Sequence, residues 1–407
     1  MATSPRKPAQ FSLERAIREN ILALLPYRCA RDDYSQGILL DANENALGHA
    51  LPPPSPSQGP DAAADTDAAF DDLDLHRYPS PTHYDVKERI CHLRAVPSVD
   101  HVFLGVGSDE VIDLLFRITC HPKQDRVLVC PPTYGMYGVC AQINDVQVVK
   151  VPLDVHNGAF RPRVDEINRT LSEAATSPNP IKLVFLCSPG NPTGTLISLD
   201  DIRAVLQNPD YQGLVVVDEA YIDFAGAEKH SAVRLLVQEG WSNLVVMQTL
   251  SKGFGLAAIR LGIAISSPEI IQVLNNIKAP YNISTPTASL ALRALSPSGL
   301  ARFEKNIATL LENRAYLVAE LPKLSGIVNL LGSHDANFVL AQVGDSTTGR
   351  PDNVKAKRAY THMAEQDKVV VRFRGTEHGC EGALRITVGT RDECDQVLSK
   401  LKQVLSD

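Results

Sequence analysis

The stretch GLVVVDEAYIDF (213–224) sets four aliphatic residues in an unbroken row, closes the row with Asp218 and places Tyr221 three residues later. A row without polar alternation is what a strand buried on both faces requires, and a carboxylate at its end needs a cationic or donating partner. A cap for a following helix would explain Asp218 equally well. Similar runs recur at helix-length intervals: RVLVC (126–130), VQVVKV (146–151), KLVFLC (182–187) and NLVVMQ (243–248). Together they predict a mostly parallel sheet sandwiched by helices between about residues 100 and 265. Beyond residue 300 the pattern changes to a long helix near 300–321, shorter strands around NFVLAQV and VVVRFR, and a last helix over 391–405. The fold class is therefore α/β, with a large domain over 76–297 and a smaller α+β domain over 298–407. Residues 1–75 supply an N-terminal arm helix, the start of the small domain and an acidic, proline-rich insert.

Ligands of open α/β sheets collect beyond the carboxyl ends of the strands, and the unusual residues of this chain fall there. After the strand VFLGV comes GSDEVIDLLFRI, which puts Ser108 and Asp109 at a helix start whose free amides can receive an anion. An ordinary capped helix accounts for the same residues. RVLVC runs into PPTYGMY, where Tyr134 is placed either to stack on a planar ligand or to pack at a rim. KLVFLC runs into SPGNPTG, in which Asn191 offers two donors and an acceptor, although a plain loop needs no more than this composition. NLVVMQ leads into QTLSKGFGLAAIRLG (248–262), where Lys252 and Arg260 are the only charges among small and apolar residues. Read as interior, two cations without an acid require an anion from elsewhere, or a lysine held neutral or bonded covalently. A bend through Gly253 and Gly255, in place of one straight helix, would let both converge on one small molecule.

One molecule answers all of these residues at once. Pyridoxal phosphate has a ring nitrogen that calls for a carboxylate, a phenolic oxygen that calls for donors, a phosphate that calls for amides and an arginine, and an aldehyde that calls for a lysine. Asp218, Asn191 with Tyr221, the GSD turn with Arg260, and Lys252 supply these in turn.

The totals agree with an ordinary soluble globular protein. The 407 residues are 44% hydrophobic and 21% charged, with a formal net charge of −7, which argues against a general nucleic-acid binder. Eight cysteines lack both C-x-x-C pairing and the cysteine–histidine spacing of zinc sites, so no metal is implied. No apolar run has the length of a membrane span, and the first twenty residues lack a secretory core, which points to a cytoplasmic location. The first ten residues are basic and serine-containing, but Glu14 and Glu19 follow, unlike an acid-poor organellar presequence. Leu13, Ile17, Ile21, Leu24 and Leu25 recur at helical spacing before Pro26 and predict one amphipathic helix that covers this chain or a partner. The segment 49–75 combines a proline–serine tract with aspartates and reads as a solvated loop.

The chain resembles the histidinol-phosphate aminotransferase branch of the fold-type I pyridoxal-phosphate aminotransferase family. The likeness runs through LLPYRCAR (24–31), LDANENALG (40–48), RYPSP (77–81), GSDEVIDLLFR (107–117), CPPTYGMYGV (130–139), SPGNPTG (188–194), VVDEAYIDF (216–224), TLSKGFGLAAIRLG (249–262) and LRITVGTR (384–391). It implies that Lys252 bonds the cofactor's aldehyde carbon and then carries the proton, and that Asp218 keeps the ring nitrogen protonated. Asn191 and Tyr221 would bond the phenolic oxygen, Tyr134 would stack on the ring, and Ser108, Asp109, Ser251 and Arg260 would hold the phosphate. Tyr78 would reach that phosphate from the neighbouring subunit of a homodimer. Tyr27, Arg372 and Arg385 would bind the substrate anion, with Arg374 a rival for the place of Arg372. The implied reaction exchanges amino and keto groups between L-histidinol phosphate and 2-oxoglutarate, yielding L-glutamate, in histidine biosynthesis. A related aminotransferase or decarboxylase acting on an aromatic amino acid or threonine phosphate is the alternative. A binding protein that kept only the fold would have no need of Lys252, Asp218, Asn191 and Arg385 together.

Overall fold

In the computed structural model, which describes residues 11–25 and 73–406, the large sheet has seven strands. They are β1 (Val102–Val106), β2 (Arg126–Val129), β3 (Gln147–Lys150), β4 (Ile181–Cys187), β5 (Leu214–Asp218), β6 (Leu244–Thr249) and β7 (Leu261–Ile265). Their order is β1-β7-β6-β5-β4-β2-β3. Neighbours from β6 to β3 are parallel, whereas β7 runs antiparallel to both β6 and β1. The start of β7 therefore lies on the same edge of the sheet as the ends of the other strands. Asp218 pairs in register with Cys187 on β4 and Met247 on β6, so the segments that follow these three strands emerge side by side.

The aliphatic rows explain this register. Val215, Val217 and Val246 enter the core on one face, and Leu214, Val216, Val245 and Met247 enter the core on the other. Each such side chain contributes about 1.5–3 kcal/mol on burial, and sliding a strand by one residue would send every side chain to the opposite face. β3, one of the two edge strands, differs in that Gln147 and Lys150 are exposed.

A second, antiparallel sheet contains β8 (Ile327–Leu331), β9 (Phe338–Val343), β10 (Arg372–Phe373) and β11 (Ala383–Thr387), in the order β10-β11-β9-β8. Val339, Ala341, Leu384 and Ile386 pack in a core of their own with residues of the helices Pro297–Glu320, Asn353–Glu365 and Arg391–Ser406. The strand expected from VVVRFR shrinks to Arg372–Phe373, because the Val369 amide donates to Met363 O at the end of the preceding helix and Val370 lies in solvent.

The N-terminal segment also departs from its periodicity. One helix was expected, but two short ones form, Leu13–Ala16 and Glu19–Leu22, separated by extended backbone at Ile17 and Arg18. The break follows from docking: the Arg18 amide donates to Ile118 O at 2.8 Å and its Nη1 to Arg117 O at 2.9 Å, at the end of the helix Gly107–Thr119. Ile17 and Ile21 are buried in the core of the same chain, while Leu24 and Leu25 are exposed. Among the described residues no helix is long and apolar enough to cross a membrane.

One contact fixes the edge of the sheet where the ligand-facing residues gather. The helix Gly107–Thr119 starts at Gly107, with φ at +70°, and the Gly107 amide donates to Arg260 O at 2.8 Å. A Cβ on Gly262 would stand 2.3 Å from the Gly107 carbonyl carbon, so the first helical turn rests directly on β7. Gly262→Ala is expected to destabilise the fold by about 1–3 kcal/mol through this backbone clash. Thermal denaturation measures it, and an unchanged melting temperature would mean that the two segments part freely.

Candidate active site

The strand ends open into a cleft of about 710 Å³ that gathers residues from both sheets. Its floor holds Asp218, which is 3% exposed. The carboxylate accepts from Tyr137 Oη at 2.7 Å and from the Ala220 amide at 3.2 Å. Burial raises its pKa above the usual carboxylate range, and among the described residues no lysine, arginine or histidine forms a salt bridge with it. A buried anion in this state has capacity for one cationic donor. Tyr137 itself is wholly buried, stacked on Phe185 at 4.5 Å and met edge-on by Tyr134 at 5.7 Å. Tyr134 Oη in turn donates to Asp109 Oδ1 at 3.1 Å.

Above the floor, Lys252 Nζ lies 5.8 Å from the centre of the Tyr221 ring. Solvent in the open cleft reaches Lys252, yet the enclosing walls thin its hydration, and this desolvation, followed by the charges of Arg385 and Arg260, lowers its pKa. Burial pushes the Tyr221 hydroxyl up to about 12, so it stays a neutral donor at physiological pH. Asn191 is buried, and its amide oxygen accepts from Arg385 Nη1, which leaves the NH₂ group available to a ligand.

The anion-receiving corner is assembled from three segments. Ser108 and Asp109 lie in the first turn of a thirteen-residue helix, where backbone amides lack intrahelical partners. Ser251 accepts a hydrogen bond from Thr249 Oγ1 at 2.9 Å beside them. Arg260 takes a left-handed backbone conformation, φ +52°, and its Nη2 stands 3.5 Å from Asp109 Oδ2.

The stretch 248–262 is interior only at its ends and at Gly253: Gln248, Thr249, Leu250, Leu261 and Gly262 are buried, whereas the middle departs from the reading of its small residues. Lys252, Ala257, Ala258 and Arg260 are exposed, because the segment forms turns along the cleft mouth. It does bend, at Gly255 as expected but at Arg260 instead of Gly253, as the positive φ values show. Gly253 serves another purpose: a Cβ there would lie 2.4 Å from Asp223 Oδ2.

The opposite wall belongs to the small sheet. Arg372 and Arg385 are register partners on β10 and β11, and Arg372, Arg374 and Arg385 all line the cleft. Arg374 is paired with Glu377 at 2.8 Å, whereas Arg372 has no ion pair among the described residues. Burial lowers the pKa of Arg385, with Arg374 and Arg372 adding repulsion, and its guanidinium sits 5.2 Å from the Phe338 ring centre. Tyr78 lies outside this cleft, 54% exposed and stacked on Tyr281 at 4.7 Å. Tyr27 falls outside the described residues. Sequence reading missed Tyr137, which lies in the quoted PPTYGMY motif but carries no sign that it reaches Asp218. It also left Arg374 only as a rival to Arg372.

Residues 35–401 match the family model for class I and II aminotransferases. The chain belongs to that aminotransferase family. Histidinol-phosphate aminotransferase of Schizosaccharomyces pombe is 46% identical over 405 residues, covering 98% of each chain. The enzyme of the same name from Candida maltosa is 45% identical over 408 residues, covering 98% of this chain and 99% of its own. Among solved structures, histidinol-phosphate aminotransferase of Sinorhizobium meliloti in complex with pyridoxal-5'-phosphate superposes with a TM-score of 0.71 at 21% identity, covering 96% and 97% of the two chains. The fold and the aminotransferase family are thus those of this chain, and its cleft can be compared with the needs of the pyridoxal phosphate held by that neighbour. The donor set fits that group: an unpaired buried carboxylate for a protonated ring nitrogen, amides with Arg260 for a phosphate, and a lysine with lowered pKa for an aldehyde.

Asp218 generates a test on the cofactor-free protein. Its ionised form costs nothing below the unfolded pKa near 3.8; the cost grows as pH rises through the raised folded value and is complete above it. Asp218→Asn keeps both hydrogen bonds, since Tyr137 can accept where it donated. Without cofactor at neutral pH, the variant is expected to melt at or above the parent's temperature, and added cofactor is expected to stabilise the parent more. Calorimetry decides, and a variant less stable than the cofactor-free parent at neutral pH would contradict the account.

Proposed function

We propose that the enzyme transaminates L-histidinol phosphate with 2-oxoglutarate, forming imidazole acetol phosphate and L-glutamate in histidine biosynthesis, as a cytoplasmic homodimer. The observation that carries the reading is a cleft lined by cationic groups from two parts of the fold: Arg260 beside the helix start, and Arg372, Arg374 and Arg385 from the small sheet. A cofactor phosphate and a substrate anion both need such a partner, with the reactive amine between them. The names and near-complete coverage of the relatives support the substrate choice.

When bound, pyridoxal phosphate supplies an aldehyde for amines and a ring that accepts electron density. Asp218 holds a proton on the ring nitrogen, and Tyr221 and Asn191 donate to the phenolic oxygen. Tyr134 offers its face to the ring. Ser108, Asp109, Ser251 and Arg260 bind the phosphate, and Tyr78, exposed and outside its own cleft, reaches the phosphate of the partner's site. Lys252, with its lowered pKa, has a larger neutral fraction than an ordinary lysine and takes the substrate Cα proton through Nζ. Arg385 and Arg372 bind the substrate phosphate in one half-reaction and the carboxylates of glutamate or 2-oxoglutarate in the other, with Tyr27 closing over the anion.

A substrate panel tests the proposal. Histidinol phosphate is expected to be turned over faster than phenylalanine or threonine phosphate, and absence of activity on it would reject the substrate choice. Lys252→Ala is expected to lower turnover by more than about a hundredfold. Borohydride should fix the cofactor on the peptide containing Lys252, and label on another lysine would remove the assigned role.

A further inference from the structure

Behind the cleft wall, four polar side chains form one connected buried set. Arg94, the last residue of the helix Tyr84–Arg94, donates from Nη2 to Asp223 Oδ1 at 2.6 Å and from Nε to Gln248 Oε1 at 2.7 Å. The side chain of Arg94 is 10% exposed and that of Asp223 is 5% exposed. Gln248 Nε2 continues the chain to Glu219 Oε2 at 2.9 Å, and Glu219 also accepts from Ser231 Oγ and the Ala232 amide. None of the four lines the cleft, so none is placed to touch a substrate.

Their positions in the chain give the set its meaning. Glu219 follows Asp218, Gln248 lies on β6 four residues before Lys252, and Asp223 occupies the space that a side chain on Gly253 would fill. One guanidinium therefore ties together the end of β5, the end of β6 and the surface on which the Lys252 turn rests. A guanidinium suits this task because its fixed fork serves two acceptors at once.

We propose that Arg94 is a positioning residue for Lys252, acting through Asp223 and its contact with Gly253. The inference rests on the assignment of Lys252 as the reactive amine. Removing Arg94 leaves Asp223 as a buried carboxylate without its cation, a state relieved by letting water in or by shifting the turn above it. Either response hydrates Lys252 and adds uncompensated negative charge near it, and both move its ionisation upward towards that of an ordinary lysine.

Competitive acetylation of Lys252 across pH, read by peptide mass spectrometry on the cofactor-free protein, follows this directly. Arg94→Met, which keeps the stem but drops the charge, is expected to raise the labelling midpoint. It is also expected to lower kcat of the loaded enzyme roughly tenfold to a hundredfold, the scale of an ångström-sized misplacement. KM for the amine substrate should change less than about twofold, since no substrate contact is lost. Arg94→Lys, with charge but no fork, should fall between the two. Gly253→Ala, which pushes the turn off Asp223, should reproduce the upward midpoint, and the double variant should add little to either single one. An unshifted midpoint with only a lowered melting temperature, or fully additive effects, would overturn the proposal. If Arg94→Met does not fold, Gly253→Ala decides alone: a raised midpoint supports the mechanism and a parental one overturns it. Full turnover by Lys252→Ala would instead reject the assignment of the lysine, whatever the Arg94 variants do.

Discussion

A carboxylate at the end of a fully buried strand must be answered by something, and among the described residues Asp218 accepts hydrogen bonds from a phenol and an amide alone. The apolar rows of β4, β5 and β6 place it there, because their burial on both faces leaves no freedom of register. The resulting site presents a buried carboxylate at its floor. A cationic ring nitrogen satisfies it, and the strand ends that fix Asp218 also fix the loops holding Asn191 and Lys252. The sheet's geometry is thus converted into the electronic property on which transamination depends.

The cleft above that floor is rich in unlike demands. Arg260 and Arg385 each press the proton off Lys252, and Arg374 and Arg372 press on Arg385. Such mutual repulsion is tolerable in an open, hydrated cleft and is relieved when anions enter. The same crowding that lowers the pKa of the lysine therefore also favours the entry of anions into the cleft. Substrate binding and lysine reactivity are linked through charge without any need for a moving part.

The large sheet was legible because fully buried strands declare themselves as apolar rows, and RVLVC, KLVFLC, GLVVVD and NLVVMQ each became a strand within a residue or so at either end. Residues at strand ends were legible for the same reason. What failed to show were contacts made across the fold. Ile17 and Ile21 have helical spacing, but the end of the helix Gly107–Thr119 captures Arg18 and breaks the pattern. Small residues over 248–262 suggested burial throughout, yet only Gly253 and the ends are buried, and the exposed Gly255, Ala257 and Ala258 lie in turns beside the cleft. Tyr137 lies 81 positions from Asp218, and its hydroxyl reaches it from a ring packed between Phe185 and Tyr134, a contact no local pattern announces.

The two walls of the cleft are built to different standards of permanence. The phosphate corner rests on backbone against backbone, Gly107 on Gly262, in the interior of the seven-stranded sheet. The arginines Arg385 and Arg372 sit on β11 and on the two-residue strand β10, with Arg374 just beyond it, and among the described residues β10 is the edge of its sheet. Sequence change is therefore admitted unequally: drift at the first wall disrupts the fold, whereas the edge of the small sheet can be rewritten at little structural expense. A scaffold arranged this way can hold its chemistry fixed while descendants diverge in the amine they accept.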